Sequence, residues 1–104
     1  MVTEALAALP GAVRHAVEQA EPVLADIADA FKDEPITYVL GSGPSYGWAY
    51  GFAMCFLQEM QWKHAAAFNS GEFFQGAFEM VDDDLAVLLW LGEDASRPMA
   101  DRAK

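Results

Sequence analysis

The sequence has few residues that could form crosslinks or bind metals. It contains one cysteine, Cys55, and two histidines among 104 residues. A single cysteine cannot form an internal disulfide, and a structural zinc or iron–sulfur site needs several thiolate or imidazole ligands. We therefore expect no metal in this chain.

Basic residues are also scarce. Six Lys and Arg stand against sixteen Asp and Glu, which gives a formal net charge of −10. A field of this sign repels phosphate backbones and anionic lipid headgroups. We therefore expect no nucleic-acid partner and no binding to a membrane surface.

Long apolar runs are missing as well. The two longest stretches, Tyr46–Leu57 and Leu85–Leu91, are shorter than the roughly 20 residues that span a bilayer. The first residues include an acid and lack the basic region and apolar core of a secretory signal. The expected location is the cytoplasm.

The composition is that of a small folded domain. Apolar residues make up 54% of the chain and charged residues 21%, enough for one core. This balance excludes intrinsic disorder, and the length excludes several domains. We expect an N-terminal segment over residues 1–11 and a single domain over 12–104.

The N-terminal third has helical spacing. Residues 3–9 predict a short helix that Pro10 and Gly11 interrupt, and a second helical pattern runs from Ala12 to Phe31. Pro22 lies inside that pattern and predicts a break or a kink near Glu21, with two helical pieces instead of one, because proline lacks the N–H that an α-helix uses.

Three segments predict buried strands, and helical segments separate them. The strands are expected at Ile36–Leu40, His64–Phe68 and Leu85–Leu91. Between the first two, Trp48–Lys63 predicts a helix so apolar that most of its sides should be buried. Asn69 and Ser70 are expected to cap a further helix, and a last helix should begin near Ser96.

The resulting order is α-β-α-β-α-β-α, which predicts the α/β class. Continuous apolar strands joined by helices are typical of a parallel sheet with helices on both faces, a three-layer α/β/α sandwich. Three strands are few for such a sheet. We therefore expect an open sheet edge beside Trp90 and Leu91.

The loop after the first strand is a candidate ligand site. Gly41, Ser42, Gly43 and Ser45 lie between a strand and a helix, where free backbone N–H groups can receive an anion or a sugar. The spacing matches neither a dinucleotide fingerprint nor a P-loop. The alternative is a tight turn without a ligand.

Glu59 is the candidate for acid–base chemistry. On an α-helical wheel it falls among Phe52, Cys55, Phe56 and Trp62, so we expect an apolar environment. Desolvation raises the pKa of a carboxyl group, and a glutamate titrating nearer neutrality can shuttle protons. The alternative is an ordinary surface pair with Lys63, four residues later.

Three further polar residues are candidate site groups. His64 follows the helix and is either a general acid or a structural histidine. Glu72 is either a substrate contact or a first-turn acid that complements the helix dipole. Gln75 can orient a ligand through hydrogen bonds but cannot exchange protons near neutral pH.

These residues occur in the order of a known family. The run from Gly41 to Leu91 resembles a sugar isomerase (SIS) domain, which has a flavodoxin-like fold. It is most similar to the second SIS domain of fructosamine 6-phosphate deglycases, which are relatives of the isomerase half of glucosamine-6-phosphate synthase. The resemblance covers residues 12–104 and implies a partial, truncated SIS domain.

The resemblance implies chemistry on an open-chain phosphosugar, without a metal or an organic cofactor. The family glutamate, which moves a proton between C1 and C2, falls on Glu59. The family histidine falls on Gln75, in Gly71-Glu72-Phe73-Phe74-Gln75-Gly76, and Ala77 replaces a common proline. A lysine of synthase-type members is Phe56 here, as suits the deglycase branch.

The expected function is therefore that of a phosphosugar-processing domain from a deglycase or isomerase of 6-phosphorylated ketosamines. Whether the chain is itself an enzyme is left open by Gln75 and by its extent. The alternative is a catalytically inactive module that binds carbohydrate derivatives or dimerises. The expected partners are a phosphorylated sugar or ketosamine and further copies of the chain, in a homodimer or higher homo-oligomer.

Overall fold

The computed structural model describes all 104 residues, which form two compact units, Met1–Asp33 and Glu34–Lys104. The first unit contains helix α1 (Val2–Phe31). The second contains, in chain order, β1 (Ile36–Gly41), α2 (Pro44–Gly51), a π-helix (Phe52–Met60), β2 (His64–Asn69), α3 (Ser70–Phe73), a 3₁₀ turn (Ala77–Met80), β3 (Ala86–Leu89) and α4 (Arg97–Arg102).

Helix α1 is continuous over 30 residues and passes through both Pro10 and Pro22. The predicted interruption at Pro10-Gly11 is therefore wrong, and so is the predicted division into two helical pieces near Glu21, whereas a kink at that point stays a prediction. Alanine, leucine and glutamate, which are strong helix formers, surround both prolines and sustain the helix despite the lost hydrogen bonds. Neither α1 nor any other helix combines the length and the hydropathy needed to cross a membrane. The domain boundary at residue 12 stays a prediction.

The second unit is built on a parallel three-stranded sheet in the order β2-β1-β3. Residue Ile36 pairs with His64 and Gly41 with Asn69, so β1 and β2 begin and end at the same edges. All three predicted strands are confirmed, and β3 is shorter than its apolar run. The structure leaves β3 at the edge of the sheet, as predicted.

Helices cover both faces of this sheet, which confirms the α/β/α sandwich. On one face, Val39 packs with residues of α2 and the π-helix; the buried members are Val39, Ala49, Ala53, Leu57 and Ala65. On the other face, Tyr38, Leu40 and Phe73 form the buried centre, with α3, β3 and the C-terminus around it. The alternation of Tyr38, Val39 and Leu40 between the faces follows from the period of a strand.

The helix between β1 and β2 differs from the prediction in two ways. Its second half, Phe52–Met60, has i→i+5 hydrogen bonding, which is rare in proteins. It is also not buried on most sides, since only Ala49, Ala53 and Leu57 are fully buried, with Phe52 and Met54 partly buried beside them. The next row, which contains Trp48, Phe56 and Met60, is exposed.

Candidate functional site

The strongest candidate site lies at the carboxyl edge of the sheet. From β1 the chain crosses to β2 on one side, and it later returns to β3 on the other side. In parallel sheets, the loops diverge at the point where the strand order reverses, and the resulting crevice is where ligands bind. Here the loops Ser42–Ser45 and Trp90–Ser96 flank that point.

The two loops approach each other closely. A Cβ atom at Gly92 would lie 2.8 Å from Ser45 Oγ and 2.7 Å from Asp94 Oδ2. A Cβ atom at Gly43 would lie 2.7 Å from Ser96 Oγ. The side chains of Ser45, Asp94 and Ser96 therefore meet across the crevice, and glycine leaves room for them.

Gly43 gives the first loop its sharp turn. Its φ of 52° and ψ of −132° are rarely adopted by residues with a side chain. Pro44 follows at the start of α2, a position that suits its fixed φ. The first turn of α2 has no side-chain cap; Pro44 has no N–H, and the N–H groups of Ser45 and Tyr46 donate to the carbonyl oxygens of Ser42 and Gly43, each at 3.1 Å.

Two buried hydroxyl groups lie at the same edge. Ser42 is 3% exposed and Ser70 is fully buried, and the hydroxyl of each has no hydrogen-bond partner in the structure. The residues before them, Gly41 and Asn69, are paired in the sheet, so the two serines follow the ends of neighbouring strands. A buried hydroxyl without a partner is costly and calls for an explanation. A polar ligand would provide hydrogen-bond partners only if the surrounding loops open, because neither hydroxyl oxygen has accessible surface in this structure.

The loop after β3 and the start of α4 supply the charged side chains at the crevice. The Ser96 side chain and its backbone N–H, the latter 2.7 Å from Asp94 Oδ1, lower the pKa of the Asp94 carboxyl group. Arg97 bonds to Asp101 at 2.9 Å and to Glu93 at 2.7 Å, and these carboxylates raise the pKa of the guanidinium. Arg97 thus ties the loop to α4.

Asp94 and Ser96 were not predicted as site residues, and Ser96 was expected only as the start of the last helix. The run Gly92-Glu93-Asp94-Ala95-Ser96 looks like an ordinary polar turn. The order of the strands would have indicated these residues, because in a parallel sheet the loops that follow the strands all lie at the same edge. The placement of β3 directly beside β1 completes that argument.

Glu59 does not lie in an apolar environment. It is exposed, near the end of the π-helix, so the expectation of a desolvated carboxyl group is wrong. The predicted wheel assumed α-helical turns, whereas each i→i+5 turn holds more residues and rotates the later side chains away from the expected face. The predicted pairing with Lys63 stays a prediction.

Glu59 is also remote from the loop after β1. The helix begins at the carboxyl edge and β2 starts at the amino edge, so the helix crosses the whole sheet. At about 1.5 Å per residue, Glu59 lies roughly 20 Å from Pro44 along the helix axis. His64, exposed at the start of β2, shares the amino edge.

Glu72 and Gln75 lie at the carboxyl end of β2, and both are exposed. Asn69 caps α3, as predicted, by accepting a hydrogen bond from the Gly71 N–H at 3.0 Å. The structure therefore divides the candidate residues into two groups. The carboxyl edge holds the Gly41–Ser45 loop, Glu72 and Gln75, whereas the amino edge holds Glu59 and His64.

The candidate residues form no metal site, and an apolar cavity elsewhere in the second unit does not belong to them. No group of three or more His, Cys, Asp or Glu side chains is placed to hold a metal ion. A cavity of about 400 Å³ is lined by apolar side chains of the second face, among them Phe73, Phe78, Val87 and Leu89. Its walls offer few polar groups that could orient a sugar.

Comparison with known sequences gives matches over nearly the whole chain, although no family model matches it. Fructosamine deglycase FrlB of Bacillus subtilis is 38% identical over 100 residues, which are 96% of this chain and 30% of that protein. Fructoselysine 6-phosphate deglycase of Escherichia coli is 32% identical over 95 residues, which are 91% of this chain and 28% of that protein. Glutamine–fructose-6-phosphate aminotransferase (isomerizing) of Neisseria meningitidis is 34% identical over 93 residues, covering 89% of this chain and 15% of that protein.

Solved structures show the same fold. A candidate phosphosugar isomerase of Bacillus subtilis superposes with a TM-score of 0.89 at 38% identity, over 92% of this chain and 29% of that one. The C-terminal domain of glucosamine-fructose-6-phosphate aminotransferase from Francisella tularensis gives a TM-score of 0.73 at 26% identity, over 82% of this chain and 24% of that one. The chain thus spans less than a third of the length of these relatives.

Proposed function

We propose that this chain, a partial SIS domain related in sequence and fold to fructosamine deglycases, contributes a phosphosugar-binding surface to the processing of 6-phosphorylated ketosamines. The observation that carries the proposal is the 38% identity with a fructosamine deglycase over 96% of the chain. The crevice at the carboxyl edge of the sheet supplies the surface.

The crevice has the chemistry that a phosphorylated sugar needs. The Ser45 hydroxyl lies between the two loops and can donate to phosphate or hydroxyl oxygens, whereas the N–H groups of Ser45 and Tyr46 already bond to the Ser42 and Gly43 carbonyls. The hydroxyls of Ser42 and Ser70 have no accessible surface, so they bond to a sugar only when the loops around them open. Asp94 accepts from sugar hydroxyls and would repel phosphate, so it favours a pose with the phosphate turned toward α2.

Proton transfer is assigned to Glu59. As a general base, its carboxylate would take a proton from C1 of the open-chain ketosamine and return it at C2, which gives an imine at C1. Water then adds to C1 and the C1–N bond breaks, so that the aldose phosphate and the free amine leave. Glu59 and Gln75 lie at opposite edges of the sheet, so they do not act on the same substrate within one chain. The reaction therefore needs a substrate held at the amino edge by another polypeptide segment or another copy.

A second candidate function is binding without turnover. Gln75 favours it, because an amide cannot supply the proton that the family histidine supplies. The exposure of Glu59 favours it too, since nothing around the carboxylate excludes water. In that case the chain is a carbohydrate-derivative-binding module.

Calorimetry and a turnover assay on the same preparation separate these functions. The proposal predicts saturable binding of fructose 6-phosphate, together with release of free amine from a fructosamine 6-phosphate that Glu59→Gln abolishes. Glu79→Gln, which changes an exposed acid on the 3₁₀ turn, is the matched control and should retain turnover. Binding without turnover supports the second candidate, and absence of both overturns the two proposals together.

A further inference from the structure

We infer that the loop Ser42–Ser45, called the lid below, is closed over the carboxyl edge of the sheet in this structure and opens by a backbone rotation at Gly43. Opening exposes the Ser42 hydroxyl and releases the N–H groups of Ser45 and Tyr46. The inference rests on the proposed function, because it names the movement that admits a phosphorylated sugar, but its test needs no sugar.

The closed lid buries a hydroxyl group that has no partner. Ser42 is 3% exposed, and its side-chain oxygen has no accessible surface and no hydrogen bond within the chain. The Ser70 hydroxyl, which follows the neighbouring strand, is in the same condition. An unpaired hydroxyl that is shut off from water destabilises the state that contains it. Opening gives the Ser42 oxygen access to water or to a ligand, so its burial favours opening.

Further polypeptide packed against the chain would not change this burial. The chain's own atoms already enclose the Ser42 oxygen, and a neighbouring segment can only cover surface that is open. The hydroxyl therefore gains a partner only when the loop that carries it moves.

Gly43 is the position at which the lid can turn. Its φ of 52° and ψ of −132° suit the first central position of a type II′ turn, and the Ser45 N–H closes that turn on the Ser42 carbonyl at 3.1 Å. Pro44 has a fixed φ, whereas glycine adopts positive and negative φ about equally well. A rotation at Gly43 breaks the turn and also releases the Tyr46 N–H from the Gly43 carbonyl. The start of α2 thereby gains two free donors, which is the arrangement that binds anions at helix N-termini.

The closed lid lies directly on Gly41, the last residue of β1. A Cβ atom there would lie 2.7 Å from the Ser45 carbonyl oxygen and 3.0 Å from Tyr46 Cα. Both atoms belong to the backbone, so the overlap cannot be relieved by a side-chain rotation. A methyl group at residue 41 should therefore act as a wedge that favours the open lid.

The loop on the other side of the crevice is fastened, so the lid is the part that moves. Arg97 donates to Glu93 at 2.7 Å and to Asp101 at 2.9 Å, which joins that loop to α4. Within the loop, the Ser96 N–H donates to Asp94 at 2.7 Å. The two backbone hydrogen bonds of the lid, by contrast, run within the lid and into the first turn of α2.

Thiol labelling of the ligand-free chain measures the opening. In a Cys55→Ser background, Ser42→Cys places a thiol beneath the lid, and Ala53→Cys places one at a fully buried position of the core. Circular dichroism checks that both variants fold. With a maleimide reagent, we expect Ser42→Cys to react at least about 100-fold faster than Ala53→Cys, because local opening is more frequent than unfolding of the whole unit.

The wedge gives a second expected result. Adding Gly41→Ala to Ser42→Cys should speed labelling by about tenfold or more, because it raises the population of the open lid. The matched control is Gly47→Ala, which adds the same methyl group in open space within α2 and should change the rate by less than about twofold. Ser42→Cys should remain much faster than Ala53→Cys in the Gly41→Ala background, as local opening requires.

Equal labelling rates for Ser42→Cys and Ala53→Cys, in either background, would overturn the inference, since the thiol beneath the lid would then be reached only by general unfolding. An effect of Gly41→Ala no larger than that of Gly47→Ala would overturn it as well. Fast labelling of Ser42→Cys in a chain that does not bind fructose 6-phosphate would support the lid and count against the proposed function alone.

Discussion

Gln58 donates a hydrogen bond from its side-chain amide to the carbonyl oxygen of Ala65 at 2.6 Å. This contact fastens the last turn of the π-helix to the beginning of β2. It also fixes the orientation of the turn that carries Glu59, the next residue, which lies on the solvent side. A catalytic role for Glu59 therefore depends on a helix end that Gln58 holds in place.

Replacement of Gln58 by alanine should destabilise the second unit. The substitution removes a partly buried hydrogen bond and leaves the Ala65 carbonyl without that donor, so we expect a loss of about 1–2 kcal/mol in the free energy of unfolding. Urea denaturation followed by tryptophan fluorescence measures it. Gln61→Ala, at an exposed position three residues later, should change stability by less than about 0.5 kcal/mol. Equal effects of the two substitutions would contradict the anchoring role.

A side chain at Gly43 should be poorly tolerated. Alanine there would occupy a strained backbone conformation at a φ of 52°, and its Cβ would lie 2.7 Å from Ser96 Oγ. We expect Gly43→Ala to destabilise by about 1–3 kcal/mol. The control is Gly47→Ala, which lies within α2 with open space around it and should stabilise by about 0.5–1 kcal/mol. Thermal unfolding of both variants gives the comparison, and a stabilising Gly43→Ala would refute the loop geometry.

The Asp94 carboxyl group should titrate below its ordinary pKa of 3.8 because of the Ser96 side chain and backbone N–H. A folded-state pKa below the unfolded value stabilises the fold above the unfolded pKa, and this contribution disappears as the pH falls through the folded pKa. In Ser96→Ala, the Asp94 pKa should rise toward its ordinary value without reaching it, since the backbone N–H remains. Carboxyl-carbon NMR titration of both proteins measures this shift. An identical Asp94 titration in the two would show that the hydroxyl plays no part.

The strands and the layer order could be predicted from the sequence because their causes are local. Ile36–Leu40 and Leu85–Leu91 are apolar runs that predict fully covered strands, and the structure pairs them side by side in one parallel sheet. Asn69 was likewise recognisable as a helix cap from its residue type and position.

The continuity of α1 and the π-helical turns could not be predicted, because each depends on local preferences that oppose one another. Pro10 and Pro22 predict breaks, yet the surrounding helix formers keep α1 continuous. The π-helix has no simple residue signature, and its wider turns changed the face on which Glu59 lies. The crevice formed by Ser45, Asp94 and Ser96 depends on the order of the strands in the sheet, and this order cannot be predicted from any single segment of the sequence.

The central claim is that the carboxyl-edge crevice binds a phosphorylated sugar. The most direct measurement is an amide NMR titration of this chain with fructose 6-phosphate, with glucose as the unphosphorylated control. We predict saturable shifts for Gly41–Ser45, Ser70 and Gly92–Ser96, and much weaker shifts with glucose. Shifts absent at saturating ligand, or confined to the amino edge around Glu59 and His64, would contradict it.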